Sequence, residues 1–487
     1  MFLSVIGAGR PVNRAKRTPV RMARSVSPVA TLSSSSRARL ELGASLASAV
    51  RGRPRGGRWG VLVTSISRGD TLYSVEPDRL LKPASTMKLM TTALALDRFG
   101  ADHTFSTEVL SDQPAHSGQV DGSLYLRGGG DPTLSLRFSR GESPMDALAR
   151  RVKASGVDRV HGDIVADESA FAPERIPLGW KTSYRASAFA APISALSLNE
   201  NLVWVDTRIV NGRAVVTINP PSAAIRVTNT VRVVDGRGGR VLVGRTKSGV
   251  IASGTIGVSS APRRYSLVVQ DPPSFAAGAL VASLARMGVT VDGVVRSGQA
   301  PRGATSVAEV RSMRLDAIVS VMNRESINHY AELLFRSAAR EPGRAGSASA
   351  ALEALRGFLA NKVGVQREAV RVLDGSGLSE ADTLTARSLV QVLTYANRAP
   401  WSSAYHMSLP VAGQSELLRR RMRTTLAQGN LHAKTGSTNS VASLAGYVTA
   451  RDGELLAFAF IFNGRDTWNA RQAMDRMGSS LASFKRD

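Results

Sequence analysis

The two ends of this chain carry matching pieces of one structural pattern, and the stretch between them has a different texture. Trp59–Ser67 reads as a strand, Arg68-Gly69-Asp70 as a turn, and Thr71–Val75 as the paired strand that follows. A short amphipathic helix precedes them at Arg39–Val50, with Leu40, Leu42, Leu46 and Val50 at helical spacing. A second helix is expected over Ser85–Phe99, after Pro83 and closed by Gly100. The far end mirrors this: Val441–Thr449 and Leu455–Asn463 are strand-like and joined across Arg451-Asp452-Gly453, and Trp468–Phe484 has helical spacing. Both termini are therefore expected to complete one sheet covered by helices. Residues 106–314, with short Val/Ile/Thr runs such as Ala214–Ile218 and Arg240–Val243 broken by Gly, Asp and Pro, read as β-rich insertion; 311–396 return to helical texture.

Composition narrows the function classes. A length of 487 residues suggests two to four units, and 43% hydrophobic residues supply their cores. The longest apolar run, Leu455–Phe462, is strand-sized, well below the roughly 18 residues of a membrane-spanning helix, which excludes a polytopic membrane protein. Cysteine is absent, removing thiol catalysis and thiolate metal sites. The net charge is +25, and the first 60 residues hold twelve Arg/Lys against one acid, Glu41. Residues 1–37 read as a basic, disordered arm. Such an arm is a candidate for electrostatic association with an anionic envelope. An aromatic content of 5% without basic–aromatic interleaving argues against nucleic acid as a partner. Met1–Gly9 is mildly apolar but has no basic residue before it, so no clear export signal is visible.

Three short motifs carry chemistry. In Ser85-Thr86-Met87-Lys88 the serine and lysine share a helix face, so a hydroxyl that needs a base has one within reach. A lysine serves as that base when burial or another cation lowers its pKa. Ser326-Ile327-Asn328 lies inside Asn323–Phe335, and Lys434-Thr435-Gly436 followed by Ser437 precedes the C-terminal strand pair. A cation and a hydroxyl on a strand edge suit a carboxylate, and glycine permits close backbone approach. Each motif alone is short enough to arise by chance. Together, in this order, they form the Ser-x-x-Lys, Ser-x-Asn, Lys-Thr-Gly set of the penicillin-recognising serine enzymes. The six histidines show no metal-ligand spacing, no Gly-x-Ser-x-Gly elbow is present, and no cofactor is expected.

Spacing selects a branch. Ser326 lies 241 positions after Ser85, whereas small β-lactamases need only a short connection there. Residues 126–134 (LRGGGDPTL), 191–201 (APISALSLNEN) and 374–379 (DGSGLS) also match. Over 38–485 the chain resembles the type-4, class C low-molecular-mass penicillin-binding proteins, which are D-alanyl-D-alanine carboxypeptidases/endopeptidases. The resemblance implies a mixed α/β (α+β) penicillin-binding/serine β-lactamase-like transpeptidase fold. It places a penicillin-binding domain at 38–106 and 315–487, an inserted domain at 107–185 and 274–314, and a third nested at 186–273. It implies Ser85 as nucleophile, Lys88 as its base, Ser326 as proton relay, and Asn328 as the group orienting Lys88. Lys434 and Thr435 would hold the substrate carboxylate, with Lys434 staying charged while Lys88 titrates low. The N–H groups of Ser85 and Ser437 would form the oxyanion hole. Peptidoglycan peptides are the implied substrates, β-lactam antibiotics the covalent inhibitors, and the periplasm or cell envelope the location.

Two further positions bear on specificity. Relatives often carry arginine after the Asp-Gly-Ser-Gly-Leu-Ser segment, where this chain has Glu380; an acid there would favour an amine or an amidated end. Asp167 resembles the family's amine-binding acid. The alternatives are a β-lactamase or esterase on the same scaffold and a non-catalytic penicillin-sensing or wall-binding module.

Overall fold

The computed structural model describes residues 34–52, 54–138, 141–247 and 249–486. Strands β1 (Gly57–Ser65), β2 (Thr71–Val75), β3 (His432–Ser437), β4 (Val441–Thr449) and β5 (Leu455–Gly464) form one antiparallel sheet in the order β3-β4-β5-β1-β2. The two chain ends meet at the β5–β1 seam, where Val61 sits opposite Phe460. The apolar run of β5 is explained by its central position, buried on both faces. Phe458, Phe460 and Phe462 enter one core with Val61 and Val63, while Ala457, Ala459 and Ile461 enter the other with Leu62.

Helices divide between these faces. α1 (Ser34–Arg51) and the C-terminal helix cover the first face through Leu42, Leu46, Met474 and Met477. The second face carries α2 (Lys88–Phe99), α3 (Leu315–Glu325), α4 (Asn328–Ala338) and α5 (Ala386–Arg398). The C-terminal helix, α6, spans Thr467–Ser483. Most of the expected basic arm lies outside the described residues, but Ser34–Arg37 belong to α1, so the disordered reading of those four is corrected. The helix begins about one turn earlier than its apolar spacing shows, because its first turn carries no core residue to mark it.

Between α2 and α3 the chain builds a five-stranded sheet from Ser106–Ser111, Leu124–Gly128, Ile164–Asp167, Val295–Ser297 and Thr305–Arg311, backed by helices Pro144–Ala154 and Pro272–Arg286. Two three-stranded sheets lie within residues 202–268. We propose on this basis the three-unit division at 38–106/315–487, 107–185/274–314 and 186–273. No helix among the described residues is long and apolar enough to cross a membrane.

Candidate active site

Ser85 lies in a single 3-10 turn, Ala84–Met87, that runs into α2, rather than in the first turn of one continuous α-helix as the sequence suggests. A 3-10 turn has three residues per turn, so side chains three apart eclipse one another. Lys88 Nζ accordingly donates to Ser85 Oγ at 3.1 Å. Ala84 adopts φ +47°, a left-handed conformation unusual for a side-chain-bearing residue, immediately before the hydroxyl. What holds it there is packing from two sides. Pro83 O accepts from Thr86 Oγ1 at 2.8 Å and from Ser443 Oγ of β4 at 2.7 Å. On the other side Gly377, at φ +76°, lies so close that a Cβ would meet the Ala84 carbonyl.

Lys88 is fully buried and makes two more bonds, to Asn328 Oδ1 at 2.6 Å and to the Ser376 carbonyl at 2.8 Å. The Asn328 amide is fixed in turn by donating to Phe189 O, a carbonyl from the inserted part of the chain. The Ser376 carbonyl is aimed by a loop folded around Asp374, whose carboxylate accepts from the N–H groups of Ser376, Gly377, Leu378 and Ser379 and from Trp180 Nε1. Glu332 Oε1, one turn beyond Asn328 on α4, accepts from Gly375 N at 3.0 Å. Burial pulls the Lys88 ammonium down to about 8, opposed by the negative charges of Asp374 and Glu332. Burial, with Asp374 adding to it, pushes Glu332 up to about 8.

Ser326 caps α3 in the left-handed region, φ 61°, and Asn328 opens α4, so the Ser-x-Asn spacing straddles the joint between two helices. The kink carries Ser326 Oγ to Lys434 Nζ, which donates to it at 2.9 Å. Lys434 stands on β3 opposite Ala445, which faces α2 across the second core. It is fully buried and also donates to the Thr435 carbonyl at 2.9 Å. At Gly436 β3 comes close against the Ser85 turn: a Cβ there would lie 2.6 Å from Pro83 O and 3.1 Å from Ser85 N. Thr435 is nearly buried beside it, and Ser437 is exposed at the strand end.

One electrostatic expectation is corrected. Burial, with the Lys88 charge adding to it, drives Lys434 well below the usual lysine range, so both lysines are depressed rather than Lys88 alone. The reason is local. Lys88 has Asp374 and Glu332 to support its proton, whereas only Lys88 bears electrostatically on Lys434, and it repels.

The specificity positions also differ from expectation. Glu380 is not an unopposed negative charge: Lys181 Nζ lies 2.5 Å from its Oε1, and the lysine also sits 5.8 Å from the Tyr184 ring centroid. Asp167 is 1% exposed and closes its own loop, accepting from Ser169 N at 2.9 Å and Ala300 N at 3.0 Å. An amine reaching it would have to compete with those backbone donors. Sequence reasoning missed Glu332, Lys181 and the Ser376 carbonyl. The 374–379 segment was visible, but no local signal ties it to Lys88.

The chain as a whole is similar to known proteins. A family model described as the D-Ala-D-Ala carboxypeptidase 3 (S13) family matches residues 42–483. The chain belongs to this family. This S13 member is 34% identical over 450 residues to the D-alanyl-D-alanine carboxypeptidase of Actinomadura sp. (strain R39), a match covering 87% of the chain and 81% of that protein. Among solved structures it resembles penicillin binding protein 4 (dacB) from Haemophilus influenzae, with TM-score 0.74 and 25% identity over 90% of the chain and 98% of the neighbour. The same Haemophilus protein complexed with a novel beta-lactam gives TM-score 0.70 at 25% identity, covering 89% and 97%. The penicillin-binding fold class inferred from the sequence is thus the observed one.

Proposed function

We propose that this S13 enzyme hydrolyses D-alanyl-D-alanine ends, and cross-links of the same stereochemistry, in peptidoglycan peptides through an acyl-enzyme on Ser85. The single observation that carries the reading is the chain of contacts Ser85–Lys88–Asn328 on one side and Ser326–Lys434 on the other, all bordering the turn against which Gly436 packs. In this mechanism neutral Lys88 takes the Ser85 proton as Oγ attacks the penultimate carbonyl. The N–H groups of Ser85 and Ser437 receive the oxyanion, where one donor is typically worth about 3–4 kcal/mol. Ser326 passes a proton to the departing D-alanine nitrogen as the C–N bond breaks, and the proton held by Lys88 replaces it, which leaves Lys88 neutral again. Water, deprotonated by the same base, then cleaves the ester and restores Ser85.

Lys434 and Thr435 are the proposed carboxylate clamp: an incoming terminal carboxylate favours the ammonium form of Lys434 and offsets the burial that lowers it. Glu380 with Lys181, and Asp167 more remotely, are proposed readers of the third stem residue. Comparing free and amidated diaminopimelyl peptides tests this: a strong preference for the free carboxylate would remove Glu380 from that role. The beta-lactam complex of the Haemophilus relative supports penicillins as covalent inhibitors, and action on peptidoglycan is the ground for proposing the periplasm or cell envelope as the location.

Release of D-alanine from a D-Ala-D-Ala peptide is the decisive assay. Wild type is expected to release it and to be labelled by a fluorescent penicillin, and Ser85→Ala to do neither. Rapid loss of the penicillin label with no D-alanine release would point to a β-lactamase; a lasting label without release, to a penicillin-sensing module; neither label nor release, to a wall-binding one.

A further inference from the structure

On the face of the main sheet opposite Ser85, α1, α6 and residues 420–425 enclose a groove of about 940 Å³. Five arginines line it, Arg420, Arg421, Arg423, Arg471 and Arg476, against one acid, Asp475. That acid is already committed: it pairs with the half-buried Arg421 at 2.7 Å. Arg420, Arg423 and Arg476 are exposed, and none has an acidic partner among the described residues. Like charges gathered in a concavity repel one another unless an anion neutralises them, and guanidinium forks match phosphate oxygens in pairs. Hydroxyls intersperse the cations: Ser45 and Ser480 face each other at 2.9 Å across the α1–α6 boundary, and Thr425 and Ser479 at 3.4 Å. At the rim Trp468 is 65% exposed, with the Arg471 guanidinium 5.7 Å from its ring centroid.

We propose that this groove is a binding site for a phosphodiester-linked polyol or sugar chain of the cell envelope. Shape separates this ligand from other polyanions. The charges line a hollow, whereas a bilayer surface needs them on a flat or protruding face. A volume of about 940 Å³ accommodates a segment of one thin chain but not a nucleic-acid duplex. Trp468 presents an aromatic face on which a sugar ring or polyol stacks, and its neighbours supply donors to both phosphate and hydroxyl. Because the groove lies behind the sheet, occupancy leaves the Ser85 cleft open and tethers the enzyme beside its substrate. The site is independent of the acyl-transfer chemistry, so either reading can fail without the other.

The test uses the full chain, so the basic N-terminal residues are present throughout. Binding to poly(glycerol phosphate), phosphatidylglycerol vesicles and duplex DNA is measured over a salt series, for wild type and for the combined variant Arg420→Glu, Arg423→Glu, Arg476→Glu. Wild type is expected to prefer poly(glycerol phosphate). The variant is expected to bind it at least about tenfold more weakly, with a salt slope lower by about two, the loss of roughly three phosphate contacts. Its rate of penicillin labelling stays at the wild-type value. Trp468→Ala is expected to weaken binding while leaving the salt slope unchanged. Equal binding by the variant and wild type would assign the attraction to the N-terminal residues and overturn the proposal. So would tighter, arginine-dependent binding of vesicles or of DNA.

Discussion

Substituting Gly436 by alanine tests the convergence of strand and nucleophile turn most directly. A Cβ at 436 would stand 2.6 Å from Pro83 O and 3.1 Å from Ser85 N, and would collide outright with Ser443 Oγ. The carbonyl contact is about 0.8 Å short of ordinary van der Waals separation. Ser443 could rotate away, but only by giving up its 2.7 Å bond to Pro83 O, a net loss of about 1 kcal/mol. The alternative is for β3 and the turn to part by most of an ångström. Overpacking of this kind costs about 1–3 kcal/mol of stability. The cost to function is expected to be larger, because Ser85 moves relative to Lys434, and a misplacement near 1 Å lowers rates about 10²-fold, or about 2.7 kcal/mol in the barrier. Acylation by a fluorescent penicillin is measured beside thermal unfolding, with Gly357→Ala as control. Gly357 lies in a helix with nothing near its would-be Cβ, and alanine there is expected to stabilise by about 0.5–1 kcal/mol. Wild-type acylation by Gly436→Ala would refute the close approach on which the site depends.

Three other predictions follow from the same contacts. Because Lys88 must be neutral to act and titrates at about 8, acylation is expected to rise about tenfold per pH unit below pH 8 and to level off above it; a flat profile from pH 6 to 9 would exclude Lys88 as the base. Glu332→Gln keeps the acceptor for Gly375 N and matches the protonated carboxyl that Glu332, pushed up to about 8, holds below that pH, so the rising limb is expected to stay near its wild-type position; Glu332→Ala, which frees Gly375, should slow acylation at every pH. Arg486 is 4% exposed and binds Glu454 at 2.6 Å and Asp70 at 2.9 Å, so Arg486→Ala leaves the buried Glu454 with the longer Arg68 contact at 3.8 Å and is expected to cost about 1–3 kcal/mol in denaturant unfolding, with unfolding at the wild-type midpoint the contrary result.

Much of the fold was legible because local periodicity reports burial. The strands at Thr71–Val75 and Val441–Thr449 were read to the residue, and the apolar run of β5 was read as a strand, which the structure buries on both faces. The three motifs were legible for a different reason: their residue types and spacing are those that a serine nucleophile, its base and a carboxylate clamp require. The 3-10 turn at Ser85 was not legible, since nothing local distinguishes it from the first turn of an α-helix; Gly377 and Ser443, remote in sequence, hold Ala84 in its left-handed conformation.

The charges behave likewise. Sequence identified two lysines and placed them in one cleft. That burial depresses both, with Asp374 and Glu332 opposing the shift at Lys88 and no acid among the described residues opposing it at Lys434, is decided by the fold, and Glu380 looked unopposed although Lys181 lies beside it. The chain by itself determined the chemical groups available and the elements that carry them, because those follow from residue identity and short-range spacing. Only the tertiary structure decided how protons and charges are shared among those groups, because burial and through-space proximity between distant segments set electrostatic energies.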